Sequence, residues 1–250
     1  MVGLVAALGL VAALAGCHDY DHFHSAPDGA APADLAGATG DLGACPTAST
    51  PPPGGPGCIV YTFGAGLPST LAATFNGADS TVEPACGMLR VRLGAGTSHD
   101  LWIDDIAAAR IEEVQPRVGP FVLSARIHGA LDQNQKFTGL VADDGNDRFI
   151  SVQTSAESSG LHDHDIVIRL GDGSAEQAIY PTALPAAGDH YGYTLERMTD
   201  TSQFRLTGAQ STTLTVSANA GVTAGVVVGN CCGANAPAFE AYVEWMMVCQ

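Results

Sequence analysis

Gly119-Pro120-Phe121-Val122-Leu123-Ser124-Ala125-Arg126-Ile127-His128, and beyond it Phe137-Thr138-Gly139-Leu140-Val141-Ala142-Asp143-Asp144-Gly145-Asn146-Asp147-Arg148-Phe149-Ile150, decide the fold class. In the first run Phe121, Leu123, Ala125 and Ile127 alternate with Ser124, Arg126 and His128, the period of two of a strand with one face in a core. In the second, two apolar runs are separated by Asp143 to Asp147, residues that tolerate left-handed backbone, so a hairpin is expected there.

Outward from these runs the same texture continues: short β-branched and aromatic segments punctuated by Gly, Asp, Asn and Pro. Strands are expected over Cys58 to Phe63, Gly87 to Leu93, Ile106 to Val114, Phe121 to His128, Phe137 to Ala142, Arg148 to Thr154 and Asp165 to Leu170. They are also expected over Tyr191 to Met198, Gln203 to Thr207, Thr212 to Ser217, Gly221 to Val228 and Phe239 to Val248. No stretch keeps a helical period over three turns. The reading is all-β: one large β-sandwich of two antiparallel sheets over residues 58–250.

The order Gly87-Met88-Leu89-Arg90-Val91, Asp100-Leu101-Trp102, and then the two opening runs resembles concanavalin A-like lectin/glucanase (laminin-G-like) jelly rolls. The similarity spans about Phe63 to Val248 and points to the non-catalytic modules of secreted bacterial proteins. It implies a jelly roll and a carbohydrate-related role.

The N-terminus reads differently. Val2 to Ala15 is an almost unbroken run of Val, Leu, Ala and Gly ending in Leu14-Ala15-Gly16-Cys17. A membrane-spanning helix needs about 20 apolar residues, and an export signal needs fewer, followed by small residues. Leu-Ala-Gly-Cys resembles the lipobox of bacterial lipoproteins, which implies cleavage before Cys17 and acylation of its thiol. The expected organisation is a signal peptide over residues 1–16, a lipid-anchored flexible linker over 17–57 rich in Ala, Gly, Pro and Asp, and the sandwich. His18 after the cysteine favours the outer membrane or cell surface over the inner membrane. In the linker, His18, Asp19, Asp21, His22 and His24 have the composition of a transition-metal site, and the plainer reading is a solvated spacer.

The formal net charge is −16, from 10 Lys and Arg against 26 Asp and Glu. Such a chain is repelled by phosphate backbones, so nucleic-acid binding is not expected. Anionic lipid repels it too, and membrane attachment therefore rests on the covalent anchor. Setting aside Cys17 leaves Cys45, Cys58, Cys86, Cys231, Cys232 and Cys249, an even number that reads as disulfides in an exported chain. The pairing stays open. Cys45 and Cys58 flank Pro51 to Pro56 and are placed to close a local loop, and the neighbours Cys231 and Cys232 to reach two separate partners. Zinc is the alternative, without a Cys-x-x-Cys pair to support it.

Two acidic stretches raise metal readings. Asp143, Asp144 and Asp147 have oxygen ligands suited to calcium, but not the spacing of an EF-hand loop, and a plain turn is expected. His162-Asp163-His164-Asp165 is likewise read as a polar turn. Glycoside hydrolysis needs two carboxyls about 5 Å apart when configuration is retained. The nearest approach is Glu240 and Glu244, about 13 Å apart on one face of an extended strand, and these are read as solvated edge positions. No nucleophile elbow, phosphate loop or His-Glu-x-x-His helix is present, so no enzyme activity is expected.

Binding remains. Alternation puts Arg126 and His128 on the polar side of their strand, and Gln153 and Arg169 on polar sides of theirs. These four are expected to share a sheet face that hydrogen-bonds sugar hydroxyls, with Trp102 or Tyr191 as a stacking surface. The expected function is carbohydrate binding or adhesion at the cell envelope; the alternative is a structural lipoprotein that packs against an envelope protein, and a glycoside hydrolase ranks behind both. No cofactor other than calcium is implied.

Overall fold

The computed structural model describes residues 45–75, 78–102, 105–106, 108–131, 136–143, 145, 149–156, 162–169, 175–182, 194–197, 203–207, 212–215, 221–230 and 233–250. Its strands in chain order are β1 (Cys58–Thr62), β2 (Leu71–Thr74), β3 (Thr81–Ala85), β4 (Met88–Leu93), β5 (Leu101–Trp102), β6 (Asp105–Ile106), β7 (Ala109–Glu113) and β8 (Phe121–Gly129). There follow β9 (Lys136–Asp143), β10 (Phe149–Ala156), β11 (His162–Arg169), β12 (Ala175–Thr182), β13 (Thr194–Arg197), β14 (Gln203–Thr207), β15 (Thr212–Thr215), β16 (Thr223–Asn230) and β17 (Phe239–Cys249). Among the described residues no helix is long and apolar enough to cross a membrane.

The fold is a concanavalin A-like jelly-roll β-sandwich. The first sheet runs β15-β14-β13-β8-β17-β4-β3, with β1 also paired to β17, and the second runs β12-β11-β10-β9-β16-β7-β2. All their pairings are antiparallel. The alternation in β8 sets its inward face: Phe121, Leu123, Ala125 and Ile127 join Leu89, Val91 and Val243 in the core. The second sheet supplies Ile111, Leu140, Ala142, Val226 and Val228 to the same cluster. Each such side chain fully removed from water stabilises the sandwich by about 1.5–3 kcal/mol.

In β9 and β16 alternation gives way to burial on both faces. Leu101 and Ala108 join Phe137, Val141, Phe149 and Val227 in a second cluster. The short β5–β6 hairpin thus brings apolar cover to a sheet face that would otherwise meet water. This cover explains the run Ala224-Gly225-Val226-Val227-Val228, which has no polar face to show.

Two disulfides close the described part. Cys58 at the start of β1 is bonded to Cys249 at the end of β17, and the two are direct register partners. Cys45 is bonded to Cys86. The expected local Cys45–Cys58 loop is therefore wrong: Cys58 reaches its register partner on β17, and Cys45 reaches the β3–β4 turn, each far away in sequence. Cys231 and Cys232 lie outside the described residues, as do Cys17 and the His18 to His24 stretch. Cys86 and Gly87 both have positive φ, 58° and 74°, and link β3 to β4 where Ala85 opposes Met88. A two-residue turn of this kind requires left-handed backbone at both central positions.

The linker reading differs from the structure over its last part, since Cys45 to Gly57 is clipped to the sandwich by the Cys45–Cys86 bond. A second difference is His162 to Asp165, expected as a turn. These residues form the first half of β11, paired to β10 and to β12. Their polar side chains hid a strand whose pairing partners satisfy its backbone. The expected strand Ile106 to Val114 is divided between β6 and β7, and β2, β3, β5 and β12 had no sufficient alternation to be seen.

Candidate functional site on the outer face of the first sheet

The outer face of the first sheet is built from β4, β17 and β8. Register places Arg92 beside Glu240, Arg90 beside Tyr242, Tyr242 beside His128 and Trp245 beside Arg126. The register of β17 shifts between Val243 and Trp245, so Glu244 is the extra residue of a β-bulge. A bulge sets two residues against one on the partner strand and re-aims a side chain. Alternation with Glu240 and Tyr242 already sets Glu244 outward, and the bulge adds Trp245 to the same outer side, beside Arg126, while Met246 returns to the core.

The Glu244 carboxylate is closely held. His128 Nε2 donates to its Oε2 at 2.7 Å, and Arg126 Nε lies 3.2 Å from the same oxygen. Since an ionised carboxylate only accepts, His128 carries its proton on Nε2. Ser49 Oγ donates to Oε1 at 2.7 Å, and the Ser49 backbone N–H donates to it as well. Burial pushes the Glu244 carboxyl up, but the hydrogen bonds from His128 and Ser49 outweigh burial and hold its pKa below the usual carboxylate range. Glu240 behaves alike: burial raises its pKa, while hydrogen bonds from Tyr242 and Arg92 bring it below the usual value. Arg90 pairs with Glu83 at the rim.

Glu240 and Glu244 are thus not solvated edge residues. Strand β17 is central, between β8 on one side and β4 with β1 on the other, and Glu244 is only 6 % exposed. Edge or centre depends on which distant strands pair, which β17 alone does not encode.

The sequence-based site is divided by the fold. Arg126 and His128 lie on this face. Gln153 and Arg169 belong to β10 and β11, which are in the second sheet. Trp102 lies in the β5–β6 hairpin, whose Leu101 packs with the second sheet's cluster. Tyr191 lies outside the described residues. The shared face of Arg126, His128, Gln153 and Arg169 does not exist: alternation assigns sides within a strand, whereas the jelly-roll crossover after β8 sends the next four strands to the opposite sheet. Glu244, Tyr242 and Trp245 take their place. The signal that could have found them was the Glu240-Ala241-Tyr242-Val243-Glu244 spacing, already visible but read only for catalysis.

The acidic stretch after β9 has the local geometry of a turn at Asp143. Asp143 Oδ2 is paired with Arg110, and its Oδ1 accepts from the Gly145 backbone N–H, the turn geometry of an aspartate capping its own loop. Asp144 and Asp147 lie outside the described residues. Among the described residues no group of three or more His, Cys, Asp and Glu is placed to hold a metal ion.

Beside Asp143, Glu112 lies 3.4 Å from Arg110 and accepts from Thr223 Oγ1 at 3.1 Å. Burial pushes its carboxyl pKa up and Asp143 adds to the rise; Arg110 and Thr223 pull it down without cancelling it. A folded-state pKa above the unfolded one means a contribution fully present below the unfolded value and lost as pH rises through the folded one. At neutral pH the Glu112 charge therefore opposes folding. Glu112→Gln is expected to raise Tm at pH 7, with the gain vanishing as the medium is acidified through the carboxylate range. A lower Tm for the variant at pH 7 would mean that the Arg110 pair outweighs burial.

A third polar group is internal. His99 is fully buried, with Nδ1 2.8 Å from Asn230 Oδ1 and Nε2 2.8 Å from Ser80 Oγ. Asn230 Nδ2 donates to the carbonyls of Gly94 and Pro237, so its oxygen must face the ring and accept from Nδ1–H. The network ties the 94–100 loop to the end of β16.

No protein-family model matches the sequence, and no curated protein is significantly similar to it. Solved structures are similar to it in fold. A CBM2 module of the evolved Dit of Lactobacillus casei BL23 phage J-1 has a TM-score of 0.51 at 10 % identity, over 76 % of this chain and 93 % of that one. The Bacillus licheniformis beta-glucanase has a TM-score of 0.50 at 11 % identity, over 78 % and 98 %. A Bacteroides ovatus xyloglucan-locus GH43B is 18 % identical with a TM-score of 0.46; this chain covers 37 % of its length. At these identities the likeness concerns the fold alone.

Proposed function

We propose that this protein is a cell-envelope lipoprotein whose sandwich binds carbohydrate on the outer face of its first sheet without cleaving it. The observation that carries the reading is the set Arg126, His128, Glu244, Tyr242 and Trp245 on neighbouring strands. Guanidinium, imidazole and carboxylate supply fixed donors and acceptors for hydroxyls, and the half-buried Trp245 supplies apolar surface, the usual make-up of a sugar site, while the buried Tyr242 underlies it and holds Glu240. The fold shared with a CBM2 module and a beta-glucanase supports the carbohydrate class. The non-catalytic part is supported by Glu240 and Glu244, both held as carboxylates by their partners. A glycosidase needs one carboxyl that stays protonated to act as the acid. Attachment is by acyl chains on Cys17, because an acidic chain gains nothing from anionic lipid.

A glycan array probed with the domain tests the binding. Arg126→Ala and Trp245→Ala are expected to weaken it by about tenfold, the loss typical of a contact at the centre of a site. Trp102→Ala, on the other sheet's side, should leave it unchanged. An array on which the native domain binds nothing, together with a stable protein partner in crosslinked envelope extracts, would replace this reading by a structural one. Intact mass of the membrane fraction tests the anchor: a chain beginning at acylated Cys17 is expected, and a free-thiol chain retaining Met1 removes it.

A further inference from the structure

Cys45 to Gly57 is a strap secured mainly at its ends. Cys45 is bonded to Cys86 at the β3–β4 turn, and Cys58, just past the other end, is bonded to Cys249. Between them Pro46, Pro51, Pro52, Pro53 and Pro56 have no N–H to give, and the segment forms no strand. Its residues are exposed or half-buried, so little apolar surface holds it down. The polar contact that joins its middle to the sheet is Ser49, whose N–H and O–H both donate to Glu244 Oε1. On the outer face Met88, Ser124, His128 and Glu244 are all less than 9 % exposed, although alternation puts all four on the outer side, and the strap meets this closed face at Glu244.

A segment with few buried contacts and no ladder hydrogen bonds lies at the low end of local stability and opens without unfolding the rest. Ser49 meanwhile presents to Glu244 the kind of donor that a sugar hydroxyl would present. We infer that Ser49 is a built-in stand-in for a ligand hydroxyl, and that the strap is a gate a glycan must displace to reach Glu244, His128 and Arg126. This rests on the carbohydrate-binding reading above and adds to it the residue that reads the ligand, Glu244, and the contact that competes. When the competent state is only partly populated, apparent affinity falls by that fraction. Loosening the strap therefore strengthens binding. The Cys45–Cys86 bond limits how far the strap can swing.

The test compares the native domain with Ser49→Ala and with the double variant Cys45→Ser, Cys86→Ser on one glycan array, titrating each glycan that gives signal. Ser49→Ala removes one charge-assisted hydrogen bond and should tighten binding by about fivefold. The double variant frees one end and should tighten it further, while Glu244→Gln weakens binding in every background. Binding by the variants alone would support the gate most strongly. Equal affinities for native protein and both variants would overturn the gate and leave the binding reading standing. Absence of signal from all of them would overturn both. Should the double variant fail to fold, Ser49→Ala, a half-buried surface change, still decides between these outcomes.

Discussion

Replacing both members of the Cys58–Cys249 bridge, Cys58→Ala with Cys249→Ala, is expected to lower stability by about 3–5 kcal/mol. The two residues are 191 positions apart, so the bond closes almost the whole described sandwich into one loop. In the chain-entropy account the loss of freedom in the unfolded state grows with the logarithm of loop length, and a loop of this size is near the upper end. The native structure adds a local reason. Among the described residues strand β1 pairs only with β17, and the bridge holds its first residue against the last residue of that partner. From the same strand Tyr61 Oη donates to Glu113 at 2.6 Å, and burial together with that carboxylate pushes the phenol pKa up to about 12. Freeing β1 therefore loosens a buried Tyr61–Glu113–Arg117 contact as well. For a domain of this size the expected fall in Tm is about 10 °C. Urea unfolding of the variant should show a lower midpoint, and a loss under about 1 kcal/mol would contradict the closure argument.

Gly229→Ala is expected to cost about 3 kcal/mol, at the upper end of overpacking. A Cβ there would stand 1.9 Å from Phe137 Cζ and 2.5 Å from the His99 carbonyl oxygen. The ring is the far end of a side chain, but it is packed in the second cluster under Leu101 and has little room to turn. The His99 carbonyl is backbone, fixed by the paired bonds His99 N–H to Asn230 O at 2.8 Å and Asn230 N–H to His99 O at 3.1 Å. Neither obstacle yields cheaply, and yielding would disturb the loop carrying His99. Gly145→Ala is the control: its φ is +74° but no atom stands within 4 Å of the added carbon. It should cost only about 1 kcal/mol, the backbone penalty for a side chain in left-handed geometry. Similar midpoints for the two variants in urea would show that packing at Gly229 is looser than these distances imply.

Much of the architecture was legible because it is written in local periodicity. Phe121, Leu123, Ala125 and Ile127 alternate along β8 and enter the core as that period implies, although Ser124 and His128 on the other side are buried as well. The Asp143 to Asp147 cluster announced a turn between β9 and β10, which pair in the register Asp143 opposite Phe149. Where the periodicity was masked, the reading failed for identifiable reasons. The polar residues of His162 to Asp165 concealed a strand, because backbone pairing to two neighbours forms regardless of side-chain polarity there. The proline-rich Cys45 to Gly57 read as free tether, because a disulfide to Cys86 and one serine contact leave no pattern in composition.

The candidate site divides along the same line. The side of the strand on which Arg126 and His128 stand was set by the two-residue period alone, and the all-β class came from the same periodicity. Which residues meet them was decided only in three dimensions. The jelly-roll crossover carried Gln153 and Arg169 into the other sheet and brought β17 beside β8 from more than a hundred residues away. Strand pairing set Glu244 against His128 and Arg126, a single-residue bulge brought Trp245 to the same side, and the chain secured by the Cys45–Cys86 bond brought Ser49 onto Glu244. Periodicity records which side of a strand faces the core, because burial acts on each residue where it stands. Partnership between strands depends on closing long loops and on the register that results, and no local pattern carries that information.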